Sequence, residues 1–290
     1  STSSGEEHDP PRPTPSSLGI PKAIEKLVLV NEWNDFDAIE KTVKKEGRDI
    51  AAIITEPVMG NAGVIPPKQG YLKFLKELCD KNNIVLIFDE VKTGFRLSPG
   101  GAQKLFGVIP HMSTFAKSLS NGYPISVIAG AREIMEKVGK KKVFHGGTYA
   151  SNPVSLAAVD ATVDEIKKGY VHKNIEKFGG ALMKGLADIL KDRKVDGIVQ
   201  GYPGMFQVLF TKQDQVSNFR ELVKCNSRLY SKLHLVLLER GIMIDENIAE
   251  PFFTCAAHDD QDLQKTLEAI NESLPVALAS KVREARHRLY

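Results

Sequence analysis

Five apolar residues in a row, Ile84-Val85-Leu86-Ile87-Phe88, run straight into the charged pair Asp89-Glu90. β-Branched and aromatic side chains dominate the run, and its length suits a strand better than a helix. Continuous rather than alternating apolarity predicts a strand buried on both faces, as in parallel sheets covered by helices. That one stretch points the chain to the α/β architectures. It also puts an acid at the C-terminal end of a central strand, the edge of an open α/β sheet at which ligands bind. Asp89 is therefore either a helix-capping acid or a functional carboxylate.

The neighbouring pattern extends this strand into a mainly parallel sheet flanked by helices. Ala51-Ala52-Ile53-Ile54-Thr55 predicts a second buried strand ending at Glu56-Pro57. The loop after it, Met59-Gly60-Asn61-Ala62-Gly63, carries two glycines that permit tight turns and close backbone approach. From Gly70 onward, Leu72, Leu75, Leu78 and Cys79 share one side of an amphipathic helix. Strand, helix and strand in that order form a right-handed βαβ unit. Ser113-Thr114-Phe115-Ala116 predicts a third strand ending at Lys117, and Ile125-Ser126-Val127-Ile128-Ala129 a fourth. Upstream, Leu27-Val28-Leu29-Val30 reads as a short strand, and Asn34-Asp35 as the cap of a helix carrying Phe36, Ile39 and Val43, with Trp33 packed beside it. Residues 1–17, rich in Ser, Pro and acids, predict an irregular surface arm.

After Gly169 the pattern changes. A helix is expected over 174–190, strands over 197–200 and 205–210, and a helix over 217–240. Short strands at Ile242-Met243-Ile244 and Phe252-Phe253-Thr254-Cys255 precede a C-terminal helix from Asp260. Segregated strands and helices predict a smaller α+β domain at residues 170–290, packed on an α/β domain at residues 1–169.

Composition removes several functions. The formal net charge is only +3 and the basic residues are dispersed, so no nucleic-acid stripe forms. The three cysteines show no CxxC spacing and the histidines no HExxH, which argues against a metal site and for a reducing, cytoplasmic setting. No apolar run is long enough for a bilayer and no signal-peptide pattern opens the chain, so no membrane role is expected. No GxGxxG follows a strand, which disfavours a dinucleotide oxidoreductase.

Three strand ends deliver Glu56, Asp89 and Lys117 to one sheet edge. Such a group is either a structural ion-pair cluster or a Schiff-base site. Pyridoxal 5'-phosphate chemistry needs a lysine for the imine, a carboxylate to keep the pyridine nitrogen protonated, and donors for the phosphate. Lys117 and Asp89 meet the first two needs.

The motifs around them resemble those of class III aminotransferases of the pyridoxal-phosphate transferase type I fold. The resemblance rests on Glu56-Pro57-Val58 with Gly60-Asn61, on Asp89-Glu90-Val91 with Thr93-Gly94-Phe95-Arg96, and on Gly100-Gly101-Ala102-Gln103 with Phe106-Gly107-Val108. It continues through Lys117 in Ala-Lys-Ser-Leu-Ser-Asn-Gly and Gly146-Gly147-Thr148 with Asn152-Pro153. Ala249-Glu250 through Phe253, with Ala257-His258 and Asp262, is similar to the glutamate-1-semialdehyde aminomutase group of that class. The motifs keep family order across residues 56–262.

The resemblance implies roles residue by residue. Lys117 forms the Schiff base and shuttles the proton; Asp89 pairs with the pyridine nitrogen; Val91 packs on the ring face. Gly147 and Thr148 bind the cofactor phosphate of the neighbouring subunit, which implies a homodimer with shared sites. Glu56 and Glu250 line the substrate pocket for small amino and keto or aldehyde compounds. Transfer of an amino group between a donor and an acceptor is the leading expectation. An intramolecular aminomutase and a truncated, non-catalytic paralogue serving as a structural partner are the alternatives. Three departures stand out: His111 where family members carry an acid, Lys92 after Asp-Glu-Val, expected to point outward, and Tyr123 in a loop more like general aminotransferases. Family members also carry an earlier segment that cradles the cofactor phosphate. Residues 1–20 resemble the loop that follows it, which implies an incomplete large domain and a sheet with a vacated flank.

Overall fold

The computed structural model describes residues 11, 13–15, 17–140 and 142–279, so most of the expected surface arm lies outside the described residues. A four-stranded sheet runs β1 (Ala52–Thr55), β2 (Val85–Asp89), β3 (Met112–Phe115) and β4 (Val127–Gly130), neighbours in that order. The first three strands are parallel and β4 is antiparallel to β3. Helices α1 (Lys22–Glu25) and α2 (Phe36–Glu46) precede the sheet, and α3 (Tyr71–Asn82) supplies the expected βαβ crossover. Then come α4 (Gly101–Phe106), a 3-10 turn (Lys117–Leu119), α5 (Arg132–Gly139) and α6 (Pro153–Lys167).

Local chemistry sets these boundaries. The Asp35 carboxylate accepts from Ala38 N at 2.9 Å and starts α2, as a capping acid should. Asn152 accepts from Val154 N and Ser155 N, and Pro153 fills the first position of α6, where a missing N–H costs nothing. Asn83 ends α3 in the left-handed region.

The sheet is covered on one face. Leu86 and Phe88 are fully buried and pack in one core with Ile39, Val43, Leu72, Leu75 and Cys79. The opposite face is open. Ile54, the register partner of Ile87, is 65% exposed, and β4 is exposed on both faces, at Val127 and at Ile128 alike. The β2 run therefore alternates in burial despite its continuous apolarity, which corrects the expectation of two covered faces. Among the described residues β1 and β4 each have a single strand neighbour.

The rest of the chain builds an antiparallel sheet of β5 (Ile198–Tyr202), β6 (Met205–Leu209) and β7 (Phe252–Phe253). Around it stand α7 (Tyr170–Asp192), α8 (Phe219–Leu222), α9 (Ser227–Glu239) and α10 (Asp260–Ala279). Strand β6 is buried along its whole length. Gly179 lets α7 touch the β5–β6 turn, since a Cβ there would stand 2.0 Å from the Pro203 carbonyl oxygen. Buried Gln200 ties β5 to the loop between β1 and α3 and to the loop after β6, donating to the Val64 and Val216 carbonyls at 3.2 and 3.0 Å.

Three sequence expectations need correction. Leu27 to Val30 forms no strand: its residues are mostly exposed and no described strand pairs with it. Ile242 to Ile244 is likewise irregular. The single helix expected over 217–240 is two, broken where the Asn226 side chain accepts from Leu229 N at 3.0 Å and starts α9 afresh.

Candidate active site

Parallel pairing of β1, β2 and β3 gathers their C-terminal ends on one edge. Glu56 follows the last residue of β1, Asp89 is the last residue of β2, and Lys117 opens the turn just beyond β3. All three predicted chemical groups are thus brought to one edge. Strand alternation puts Asp89 on the open face with Ile87, beside its register partner Thr114. Asp89 Oδ1 accepts from Val91 N at 3.0 Å and from Thr114 Oγ1 at 3.4 Å. Val91, half-buried, therefore serves first as a backbone donor that steadies the carboxylate.

Lys117 holds a left-handed backbone, φ 48°, which costs a side-chain-bearing residue roughly 1–2 kcal/mol. The turn is fastened from several sides: Ser120 N bonds the Lys117 carbonyl at 3.3 Å and Ser118 Oγ donates to the Gly94 carbonyl at 2.7 Å. Helix α6 packs against it.

Glu90, which the sequence reading passed over, is the keystone of the loop beneath. It is fully buried and accepts from Thr93 Oγ1 at 2.9 Å, Ala102 N at 2.7 Å and Gln103 N at 3.1 Å. A signal was present: an acid one residue past a strand end, followed by a helix start of bare glycines with no capping side chain.

Glu56 accepts from Gly60 N at 3.0 Å and from Asn61 Nδ2 at 3.1 Å. Burial raises its pKa above the ordinary 4.5; the Asn61 and Gly60 bonds and the Lys92 charge oppose the rise, and Asp89 adds to it. A raised carboxyl pKa means the folded state holds the proton longer than the unfolded one. The contribution is fully present below the ordinary 4.5 and is lost as pH rises through the raised folded value. Glu56→Gln is expected to remove that loss, flattening stability against pH in this window, as urea melts across pH would record.

Lys92 does not point outward. It is 4% exposed, with Nζ 2.5 Å from Glu250 Oε2 and 3.4 Å from the Gly60 carbonyl. A half-buried carboxylate and a backbone carbonyl within reach of the ammonium permit this burial. Glu250 is thereby brought to the same edge from the approach to β7. Arg96 stacks over the Phe253 ring at 4.3 Å. His111 accepts from Leu86 N at 2.8 Å through Nδ1, and Nε2 meets Asp80 at 2.9 Å, so it braces β2 rather than serving the site. Gly147 and Thr148 lie elsewhere, on the exposed loop between α5 and α6, braced by a bond from Ala150 N to the Gly147 carbonyl at 3.0 Å. Among the described residues no group of His, Cys, Asp and Glu could hold a metal ion, and no helix is long and apolar enough to cross a membrane.

A mainly parallel sheet with an aspartate at one strand end and a lysine just past the next is the architecture of a partial type I pyridoxal-phosphate transferase fold. The class-III aminotransferase family model matches residues 9–274, and the chain belongs to that family. It is 43% identical over 263 residues to a glutamate-1-semialdehyde 2,1-aminomutase from Ignicoccus hospitalis, covering 90% of this chain and 62% of that one. Among solved structures it is similar to an omega-transaminase from Sphaerobacter thermophilus, with a TM-score of 0.87 and 26% identity over 93% of this chain and 62% of the other. A glutamate-1-semialdehyde aminomutase from Pseudomonas aeruginosa is similar with a TM-score of 0.77 and 27% identity, over 85% and 56% respectively. The chain thus spans about three fifths of the length of the curated relatives it matches. The family's cofactor is pyridoxal phosphate, and the donor set fits it: an aspartate steadied through Oδ1, leaving Oδ2 for a ring nitrogen, beside a lysine-bearing turn.

Proposed function

We propose that the chain takes part in pyridoxal-phosphate-dependent transfer of an amino group between an amino donor and a keto or aldehyde acceptor. The observation that carries the reading is the pairing of Asp89 and Lys117 on adjacent strand ends. When bound, the cofactor supplies an electron sink that acidifies the substrate's α-carbon. In this reading Lys117 Nζ would hold the cofactor covalently and would carry the proton at the substrate's α-carbon. Asp89 keeps the pyridine nitrogen charged, and Val91 packs on the ring. Glu56 and Glu250 line the substrate pocket. Gly147 and Thr148, on a loop that faces away from this chain's own core, serve the phosphate of a second subunit in a homodimer. The division into a cofactor domain at 1–169 and a smaller domain at 170–290, and a cytoplasmic setting, belong to the same reading.

The names of the relatives support a second reading, an intramolecular aminomutase. The two separate on one measurement. Amino transfer requires an external acceptor, whereas an aminomutase turns over glutamate-1-semialdehyde without one. Either reading fails if the chain binds pyridoxal phosphate without a visible absorbance band that borohydride abolishes. Asp89→Asn is expected to keep that band but slow loss of the substrate α-proton by about a hundredfold or more, because a charge-stabilising partner is removed. Deuterium wash-out from an α-deuterated donor measures this, and an unchanged rate would take Asp89 out of the mechanism.

A further inference from the structure

We infer that Lys92 is a positioning residue for this site: its ammonium clamps Glu250, at the approach to β7, against the Gly60 loop after β1 and so fixes both pocket carboxylates. The inference rests on the amino-transfer reading for its purpose, but not for its geometry.

Lys92 lies three residues past the end of β2 and reaches a residue 158 positions away. Its ion pair with Glu250 spans 2.5 Å, and its second contact is the Gly60 carbonyl at 3.4 Å. The amide of the same Gly60 is the donor that fixes Glu56 Oε2 at 3.0 Å. One peptide loop therefore joins the two carboxylates, with the lysine between them. The packing leaves no slack: a Cβ on Gly60 would stand 3.0 Å from Lys92 Cδ and 3.1 Å from Glu56 Oε2. On the other side, the residue before Glu250 is tied to the same loop, Gly63 N bonding the Ala249 carbonyl at 2.9 Å, and the Gln207 amide holds the Glu250 carbonyl.

Stability alone does not call for this arrangement. Two apolar residues of similar volume usually serve as well as a buried ion pair, whereas losing one partner is costly. What the pair supplies is orientation. Lys92 and Glu250 bring β2 and the approach to β7 together and hold Glu56 at a fixed place between Asp89 and the lysine. The charged groups that face Glu56 are Asp89 from β2 and Lys92 just beyond it. Glu250 reaches the cluster through Lys92, and Arg96 is engaged with the Phe253 ring beyond.

The test needs neither cofactor nor substrate. In Lys92→Met, the Gly60 and Gly63 amides are expected to exchange with solvent about tenfold faster or more, since the buried ammonium that anchors their loop is gone. The amides bonded within the β5–β6 ladder should keep their rates. The Glu56 carboxyl, followed by side-chain carbon NMR, should titrate at higher pH once the opposing lysine charge is gone. Lys92→Arg should restore both properties in large part. Glu250→Gln, which keeps the lysine, should quicken the same two amides without raising the Glu56 midpoint, and provides the exchange test should Lys92→Met fail to fold. Unchanged exchange at Gly60 and Gly63 in either variant, or an unmoved Glu56 midpoint in Lys92→Met, would overturn the inference. Failure of the amino-transfer reading would show separately, as loss of the borohydride-fixed band with these exchange results intact.

Discussion

Lys117→Ala is expected to abolish all borohydride-fixable pyridoxal phosphate, whereas Lys92→Ala should retain it. Both lysines stand near the same sheet edge, so composition does not separate them. Their surroundings do. Lys92 Nζ is committed to Glu250 at 2.5 Å in a buried site, and an ammonium held in an ion pair is no nucleophile for an aldehyde. Lys117 opens a turn fixed by Ser118, Leu119 and Ser120, beside the strand end that carries Asp89. Peptide mapping by mass spectrometry after reduction would locate the label. A label on the peptide containing Lys92 in the parent chain would reverse the assignment.

Glu90→Ala carries the largest expected cost to stability, about 3–5 kcal/mol, because several buried donors lose their acceptor together, each at about 1–3 kcal/mol. Three donors lose their acceptor at once: the Thr93 hydroxyl and the amides of Ala102 and Gln103. No side chain stands by to replace it, because the start of α4 consists of Gly100 and Gly101 with no capping bond. Gly101 itself is held at φ 66°, and a Cβ there would lie 2.5 Å from Glu90 Oε2. Glu90→Gln should fall between parent and Ala, since it keeps one acceptor oxygen and turns the other into a donor facing donors. Urea unfolding measures both; a loss below about 1 kcal/mol for Glu90→Ala, the worth of a single ordinary hydrogen bond, would refute the account.

Much of this site could be read from residue order. Apolar runs ending in Glu56, Asp89 and Lys117 are local facts, and parallel pairing follows from the α3 crossover, so the shared edge was legible before any coordinates. What escaped were properties set by distant partners. The inward turn of Lys92 depends on Glu250, which local pattern cannot pair with it. The role of Glu90 depends on backbone amides, which every residue but proline carries and which therefore leave no mark in a sequence. The misread strands at Leu27–Val30 and Ile242–Ile244 fail for a related reason. An apolar run becomes a strand only where a neighbour completes its ladder, and among the described residues none does. The half-open face of β2 is legible only in retrospect, since an apolar residue reads the same whether its cover is present or not.

The left-handed backbone at Lys117 sets a direction for mutational drift. At such a position glycine or asparagine is the easier occupant, and lysine is held there against a standing conformational cost. Lineages freed from any chemical duty would tend to lose the lysine first at this residue, gaining stability as they did so. On the amino-transfer reading proposed above, glycine or asparagine in its place among relatives of this chain would mark the loss of that reaction.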